Sequence, residues 1–492
     1  MPRVRTRIAA DVAVVGGGTS GAVLAARLAA AGRDVLVIEA GPDYGPAGGG
    51  GWPADLLDAA SLPTSHDWGY RTTGAAGQLL MLDRARVLGG CSAHNGCTQT
   101  WGWRGDYDAW GRHSPGWSAA DLAPAFARAR STMRLRHYAA DEIQPFQAAF
   151  LDACAAFGHR LADDLDDLDG GPGAGCAPVN IADGVRWNTA FAYLDPVRER
   201  PGLRILDRTQ VDRISAGRIH ARSPDGAVEI DAAETVLCGG VYGTPELLLQ
   251  SGIGDSRALE RAGVAPQHDL SGVGRGLQEH AAVQLEFEAG DELAARLADF
   301  AKRRWLPEEQ AILKLASPDC DGPYDLHVYP WIEPDATAPR AWKCVFPVAL
   351  LTPKSRGAVE PDGAGRSRIN HQYLSDPSDV AALAHGVAAV LELLAHPPLA
   401  ALLGAPRSVP PQDALPTFIR ERHAHYWHPG ASCPMGPDPA QGAVVDEHAR
   451  LHGMPTIRIA DASIFPAIPR ATTAMPTTVV GERVAELMGA AA

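Results

Sequence analysis

The sequence predicts an α/β protein, α+β overall, that combines a mainly parallel sheet with a second domain of antiparallel sheet and helices. Two observations indicate the parallel sheet: apolar runs at residues 11–15 and 235–238 each lead into a glycine-rich turn and then a helix. A third observation indicates the second domain, because aromatic and apolar residues alternate at 326–331 with proline interruptions.

The first glycine turn has the spacing Gly16-x-Gly18-x-x-Gly21. In this arrangement Gly16 permits the tight turn, Gly18 a close approach of a pyrophosphate, and Gly21 close packing of helix on strand. A second strand at 34–38 ends on Glu39, about 20 residues later, where an acidic side chain holds a ribose hydroxyl. Because these parts occur in order, we predict a Rossmann-like dinucleotide-binding domain, for NAD or FAD equally.

The composition narrows the class of protein. The 492 residues carry a formal net charge of -14, with 46% hydrophobic residues and a mean hydropathy of -0.11. This acidic balance disfavours nucleic acid and anionic membrane surfaces as partners. We find no secretory signal and no apolar stretch of about 20 residues that could span a bilayer. We therefore predict a cytoplasmic monomer or homodimer that acts on a small molecule.

The eight cysteines are scattered, and no CxxC pair suggests zinc or a redox dithiol. We interpret them as reduced, buried thiols. His423 and His425 have the spacing of a metal pair, but no acidic partner is evident, and we predict no metal site.

Further elements follow from local patterns. Residues 203–206 and 228–230 resemble strands of a meander, and 235–238 a separate buried strand. Helical spacing predicts helices at 121–130, with Ser118 as N-cap, and at 142–157, and an amphipathic helix at 379–394.

Residues 89–96 form a second unusual segment, in which Gly89 and Gly90 precede Ser92, His94 and Asn95. Such backbone freedom and small polar groups can lie against a flat polar ring system. On composition alone, a surface loop is slightly favoured.

Taken together, five separated stretches resemble the glucose-methanol-choline (GMC) oxidoreductases, a family of FAD-dependent alcohol oxidases and dehydrogenases. These stretches are the opening fold through Glu39, residues 89–96, 243–254 and 272–280, and the C-terminal segments around 428–436 and 459–463. The resemblance implies an FAD-binding domain at 1–133, 184–285 and 426–492. It implies a substrate-binding domain at 134–183 and 286–425.

The resemblance also implies roles for individual residues. His428 matches the family's catalytic histidine, which removes the hydroxyl proton while hydride passes to flavin N5. Thr472 stands where the family has a second His or Asn, and a threonine cannot act as a base at neutral pH. The implied cofactor-binding residues are Gly16, Gly18, Gly21, Glu39, Gly89, Gly90, Ser92, His94, Asn95, Val211, Asp461, Ala462, Pro476 and Thr477.

Within the family, residues 89–95 are most similar to choline oxidase, in which the histidine before the asparagine is bonded covalently to the flavin. His94 stands at that position. The resemblance therefore implies that FAD is attached through His94, whereas the alternative is a histidine that only packs on the ring edge.

Three functions are compatible with these features. The first is an FAD-dependent alcohol oxidase or dehydrogenase that reduces oxygen or another acceptor. The second is a lyase of the same fold, similar to hydroxynitrile lyases, in which FAD is not redox-active; the changed Thr472 position keeps it open. The third, a photochemical decarboxylase, would require a Cys/Arg pair that is not evident.

Overall fold

The computed structural model describes residues 6–337, 341–363 and 367–490, so the ends of the first predicted domain, 1–5 and 491–492, lie outside it. In these ranges the strands are β1 Thr6–Val15, β2 Val35–Ile38, β3 Tyr70–Thr73, β4 Leu79–Leu82, β5 Gly173–Cys176, β6 Ile181–Ala182, β7 Val185–Arg186, β8 Leu203–Leu206, β9 Gln210–Ser215, β10 Arg218–Ser223, β11 Gly226–Leu237, β12 Ile253–Gly254, β13 His268–Asp269, β14 Arg275–Leu277, β15 Ala281–Ala289, β16 Ala311–Leu315, β17 Leu326–Val328, β18 Trp331–Pro334, β19 Trp342–Leu350, β20 Gly357–Pro361, β21 Ser367–Asn370, β22 Leu403–Ser408, β23 His423–His425, β24 Arg450–Leu451 and β25 Met454–Ile459. The helices are α1 Thr19–Ala30, α2 Ala54–Leu57, α3 Arg104–His113, α4 Ala119–Thr132, α5 Pro145–Phe157, α6 Gly240–Gln250, α7 Ser256–Arg261, α8 Asp291–Ala301, α9 Pro377–Leu394, α10 Pro397–Ala400, α11 Leu415–Arg422 and α12 Ala474–Leu487.

The first sheet is the predicted parallel sheet. Its order is β24-β25-β11-β1-β2-β8, and every pair from β25 to β8 is parallel. The ends of β1 and β2, residues 12–15 and 35–38, are fully buried, as expected for strands covered on both faces. Helices α1 and α12 pack against each other beside this sheet.

The predicted meander is wrong in two respects. Residues 203–206 form β8, which is the parallel neighbour of β2. Residues 228–230 and 235–237 belong to the single strand β11, whose first half pairs with β10 and whose end pairs with β25. Polar residues alternate along β11 on its less buried face, and in the sequence they resemble a break between two strands.

The second sheet is the predicted antiparallel sheet, in the order β22-β15-β19-β17-β16-β5. The alternation at 326–331 corresponds to β17 and to the start of β18, which both pair with β19. Strand β15 pairs with β19 from Ala281 onward. The predicted domain boundary between residues 285 and 286 therefore falls inside β15, and the change of sheet lies near Ala281.

Helices α4 and α5 occupy the predicted regions. Ser118 caps α4, accepting from the Asp121 N–H, and Asp121 accepts from the Ser118 N–H in return. Phe146, Phe150 and Cys154 of α5 are fully buried, as the spacing predicts.

Helix α9 departs from the expectation that no apolar segment could span a bilayer. Its 18 residues have a mean hydropathy of 1.3, long and apolar enough by composition. Its apolar residues, including Leu383, Val387 and Val390, are buried against β17 and β19. The same composition that suits a membrane therefore serves here to fill the core of the second domain.

All eight cysteines are free thiols, as predicted, but they are not all buried. Cys91, Cys176 and Cys320 are partly exposed.

Candidate active site

A cavity of about 1840 Å³ opens where the parallel strands end. Val15, Ile38, Cys238 and Asp461, which follow or end β1, β2, β11 and β25, all line it. This is the edge of an open α/β sheet at which ligands bind. The volume exceeds the roughly 300–1,000 Å³ of ordinary small-molecule sites, so it can hold a large cofactor together with a substrate.

The three predicted glycines of the first turn have different surroundings. A Cβ on Gly16, whose φ is +100°, would meet the Cys238 carbonyl oxygen at 2.4 Å. A Cβ on Gly21 would meet the Gly16 carbonyl oxygen at 2.0 Å, and Gly21 does not line the cavity. A Cβ on Gly18 would meet only the Cα of Gly90, at 3.7 Å. Gly16 and Gly21 therefore serve the protein's own packing, whereas Gly18 leaves space on the cavity side.

Two helices begin at the cavity wall without a side-chain cap. Gly18 precedes α1, Thr473 precedes α12, and neither terminus receives a capping hydrogen bond from a side chain. The first N–H groups of an α-helix lack intrahelical partners and carry partial positive charge. Both termini can therefore hold an anionic group or stabilise negative charge on a ring.

Glu39 lines the cavity from the end of β2. Its Oε2 accepts from the Gly17 N–H at 2.8 Å and its Oε1 from the Gly41 N–H at 2.7 Å. Burial raises the pKa of Glu39, and the two N–H donors oppose that shift. Each oxygen retains a second lone pair for a hydroxyl donor. Val211 of β9 lines the cavity at the same end.

Only some of the residues predicted in segment 89–96 line the cavity. Gly90, His94 and Asn95 line the cavity, but Gly89 and Ser92 do not. The Ser92 hydroxyl donates to the Gly89 carbonyl oxygen at 2.6 Å and accepts from the Thr189 N–H at 3.0 Å. Ser92 therefore stabilises the turn, because its hydrogen-bonding groups are already used within the protein.

The His94 ring is oriented by one hydrogen bond. Its Nε2 lies 2.8 Å from the Ser65 carbonyl oxygen, which can only accept, so Nε2 carries the hydrogen and Nδ1 the lone pair. Burial lowers the pKa of His94 and favours this neutral ring.

The C-terminal residues also divide into lining and supporting positions. Asp461, Ala462 and Thr477 line the cavity, whereas Pro476 is buried behind it. The Asp461 carboxylate accepts from the Gly240 N–H at 2.9 Å and from the Ser463 N–H at 2.8 Å. Its side chain is thus engaged by the protein, and its backbone is the part left for a ligand.

His428 lines the cavity beside a second imidazole, that of His280, for which the sequence predicts no role. Its Nδ1 lies 3.1 Å from Nδ1 of His280, and the His428 N–H donates to Glu279 Oε1 at 2.7 Å. His280 is fully buried, at the end of the 272–280 stretch. The only sequence signal for it was its place at the end of that stretch.

This pairing determines which nitrogen of His428 can act. Nδ1 is engaged by His280, so Nε2 is the nitrogen available to a ligand. Burial, followed by the charges of His280 and His327, lowers the pKa of His428 well below its usual value. The side chain is therefore neutral at pH 7 and can accept a proton.

Thr472 lines the cavity but cannot donate to a ligand in this geometry. Its hydroxyl donates to the Thr98 carbonyl oxygen at 3.1 Å and accepts from the Thr100 N–H at 3.1 Å. The catalytic role predicted for this position has no support in these contacts, and the residue instead ties the C-terminal turn to residues 98–100.

The far end of the cavity combines carboxylates with aromatic rings. Its lining includes Glu308, Glu309, Glu333, Trp331 and Trp427. The two tryptophan rings lie 6.4 Å apart. Burial raises the pKa of Glu309 to about 8, and burial together with the Glu333 charge raises that of Glu308 to about 7. A cation in the cavity would counter both shifts, because opposite charge favours the ionised carboxylate.

Comparison with known proteins decides the family. Two family models, both described as GMC oxidoreductase, match residues 10–282 and 353–481 of the chain. The chain belongs to the GMC oxidoreductase family. It is therefore a flavoprotein oxidoreductase, and the space at Gly18, the two open helix termini and the free lone pairs of Glu39 suit the diphosphate and ribose of FAD.

Named relatives cover almost the whole chain. It is 28% identical to a glucose dehydrogenase (FAD, quinone) of Drosophila pseudoobscura pseudoobscura, over 97% of this chain and 86% of the relative. It is also 28% identical to an oxygen-dependent choline dehydrogenase of Paraburkholderia phytofirmans, over 97% and 93%. Neither comparison supports the lyase alternative.

Two solved structures have the same fold as this GMC oxidoreductase. Pyridoxine 4-oxidase from Mesorbium loti is 26% identical, with a TM-score of 0.84 over 97% of this chain and 98% of that one. Formate oxidase from Aspergillus oryzae has a TM-score of 0.87 over 99% of both chains, and at 21% identity it supports the fold alone.

Proposed function

We propose that this GMC oxidoreductase oxidises an alcohol to an aldehyde or ketone, with His428 as the base. The observation that carries the proposal is the neutral His428 imidazole on the cavity wall, whose Nδ1 is engaged by His280. FAD, when bound, supplies the hydride acceptor. His428 Nε2 takes the hydroxyl proton, and Glu279 holds the His428 backbone in place.

We further propose that the substrate carries a positive charge near its alcohol. Three glutamates and two tryptophans at the far end of the cavity provide carboxyl groups, which ionise more readily beside a cation, and aromatic faces. Together these groups can hold an ammonium group. Among described residues, Lys343 pairs with Glu333 at 2.5 Å, whereas Glu309 has no ion pair with a cation within 4.0 Å. The names of the choline dehydrogenase and pyridoxine 4-oxidase relatives agree with a nitrogen-containing alcohol that can carry positive charge.

Anaerobic mixing of the holoenzyme with choline, pyridoxine, benzyl alcohol and glucose tests the proposal. We expect the flavin absorbance to bleach with at least one alcohol, and most rapidly with a cationic one. Product without bleaching would instead support a lyase, and no reaction with any alcohol would contradict the function. Oxygen consumption compared with reduction of a quinone then identifies the acceptor.

Glu309→Gln is expected to impair cationic alcohols selectively. The substitution keeps the shape of the side chain and removes the charge that Glu309 gains beside a bound cation, so KM for a cationic alcohol should rise by about 10- to 100-fold. KM for benzyl alcohol should change by less than about twofold, because that alcohol makes no use of the charge. Glu292→Gln on exposed α8 is the control. An equal change for both alcohols would contradict the charge-recognition proposal.

We also propose that FAD is bonded covalently to His94. The ring lines the cavity and is neutral, with the Nδ1 lone pair free. Acid precipitation of the holoenzyme is expected to leave the yellow colour in the pellet, and His94→Ala should release it to the supernatant. Exposed His113→Ala is the control. Colour in the wild-type supernatant would show that His94 only packs beside the cofactor.

A further inference from the structure

Four buried titratable side chains lie behind His428, away from the cavity, and none of them lines it. We call them the buried polar row; its members, with their exposed fractions, are His280 (0%), His327 (0%), Lys314 (2%) and Asp166 (4%). The alcohol chemistry proposed above uses only the first of them, as the partner of His428. The other three continue from there toward the opposite surface.

The members follow one another through the second sheet. His280 contacts His428 at 3.1 Å, and its charge interacts with that of His327. His327 stands directly opposite Lys314 in the antiparallel pairing of β17 with β16, so both side chains point to the same face. Lys314 Nζ lies 3.5 Å from the carbonyl oxygen of Leu165, the residue before Asp166.

Asp166 brings the buried polar row to the surface. Its Oδ2 lies 3.1 Å from Nη1 of Arg130, which is partly exposed. A carboxylate oxygen of Asp166 also lies within 4.8 Å of a ring nitrogen of His137 and of a carboxylate oxygen of exposed Asp164. The last member of the row is itself buried, but it lies next to side chains that reach solvent.

Packing does not account for these residues. Among the residues that the structure describes, both ring nitrogens of His327 lack hydrogen-bond partners, and the Asp166 carboxylate has the ion pair with Arg130 but no hydrogen bond. Burying such groups without partners costs free energy that apolar side chains would avoid. Sites of this kind commonly hold internal water, which satisfies them.

The choice of lysine is equally informative. Only four of the 44 Lys and Arg residues in the chain are lysine, and one of these four is fully buried. An arginine cannot release a proton in a protein, whereas a buried lysine can. Burial lowers the pKa of Lys314 to about 8 and raises that of Asp166 to about 7, which brings the proton affinities of the two groups close together.

We propose that the buried polar row, completed by internal water, conducts to the surface the proton that His428 takes from the alcohol. The inference rests on the proposed function. The carbon-bound hydrogen leaves with two electrons as hydride, and the hydroxyl proton enters at His428 Nε2. His428 then passes the hydrogen on its Nδ1 to His280 Nδ1, and His280 releases its other hydrogen toward His327. Lys314 and then Asp166 receive the proton, which ends in solvent, so one proton is released for each alcohol oxidised.

Stopped-flow mixing of the holoenzyme with the alcohol panel, in weak buffer containing phenol red, tests this path. Flavin absorbance reports hydride transfer and the dye reports proton release. In the wild type and in the Lys302→Met control, which removes a surface lysine, the two signals should coincide. In Lys314→Met and His327→Gln, bleaching should stay within about twofold, while the dye signal should lag by about tenfold or more.

The outcomes separate the two proposals. Bleaching with coincident dye signals in both variants would overturn the proton path and leave the alcohol chemistry standing. Absence of bleaching with every alcohol would overturn the proposed function, and the path with it. Guanidinium unfolding supplies an independent readout: Lys314→Met should retain or gain stability, because it removes a poorly satisfied buried amine. If Lys314→Met does not fold, Asp166→Asn at the other end of the row serves in its place.

Discussion

Replacement of His428 by glutamine is expected to slow flavin reduction by about 10²- to 10⁴-fold. Glutamine retains a polar side chain of similar reach but has no basic nitrogen. FAD content should be unchanged, because His428 contacts Glu279 and His280 rather than the glycine turn that suits the diphosphate. Anaerobic stopped-flow bleaching measures the effect, with exposed His448→Gln as the control. A loss of less than about tenfold would assign the base to another residue.

The pH dependence offers a second check on the same residue. A base must be unprotonated to act, so activity is lost as the pH falls through its pKa. Because burial and the neighbouring His280 lower the pKa of His428, the acid limb of kcat/KM should lie below pH 6.5. His280→Phe removes that neighbour and the Nδ1 contact, so it should move the limb upward and also lower the rate.

The parallel half of the fold could be predicted because local pattern and tertiary environment agree there. Residues 12–15 are apolar throughout and are buried on both faces. The clashes that a Cβ would make at Gly16 and Gly21 explain why the glycine spacing was informative. Strand β11 was divided incorrectly because half-buried polar residues interrupt its apolar pattern, and only pairing with β1 along its length shows that it is continuous.

The candidate site could be predicted where the contacts are local in sequence. Glu39, which directly follows β2, and His94, which lies in the glycine-rich segment 89–96, both line the cavity. The His280–His428 pair spans 148 positions, and no local pattern reports such a contact. The Ser92 hydroxyl likewise turned inward because Thr189, 97 positions away, supplies its partner.

The glutamates at the far end of the cavity show that the local sequence also fails to predict which carboxyl groups have shifted pKa values. Glu308 and Glu309 directly follow Pro307, and the sequence predicts no role for them. Their raised pKa values arise mainly from burial, and they lie beside Leu62 and Gly96, which are more than 200 positions away. The proposed recognition of a charged substrate therefore depends on contacts between residues that are distant in sequence.

Gly18→Ala and Gly21→Ala are expected to have different effects: the first should weaken FAD binding, and the second should destabilise the fold. A methyl group on Gly18 meets only Gly90, at an ordinary contact distance, and otherwise enters the space suited to the diphosphate. FAD affinity should therefore fall by about 10- to 100-fold, while the apoprotein retains its stability. A methyl group on Gly21 would lie 2.0 Å from the Gly16 carbonyl oxygen, so the fold itself should be destabilised.

Flavin-to-protein ratio, reconstitution of apoprotein with FAD and guanidinium unfolding distinguish the two variants. Gly18→Ala should unfold at the wild-type midpoint as apoprotein and bind FAD weakly. Gly21→Ala should unfold earlier whether or not FAD is present. Wild-type FAD affinity in a folded Gly18→Ala protein would mean that the diphosphate does not approach Gly18. The cofactor would then have to be held by the α12 terminus and His94, at the other end of the same cavity.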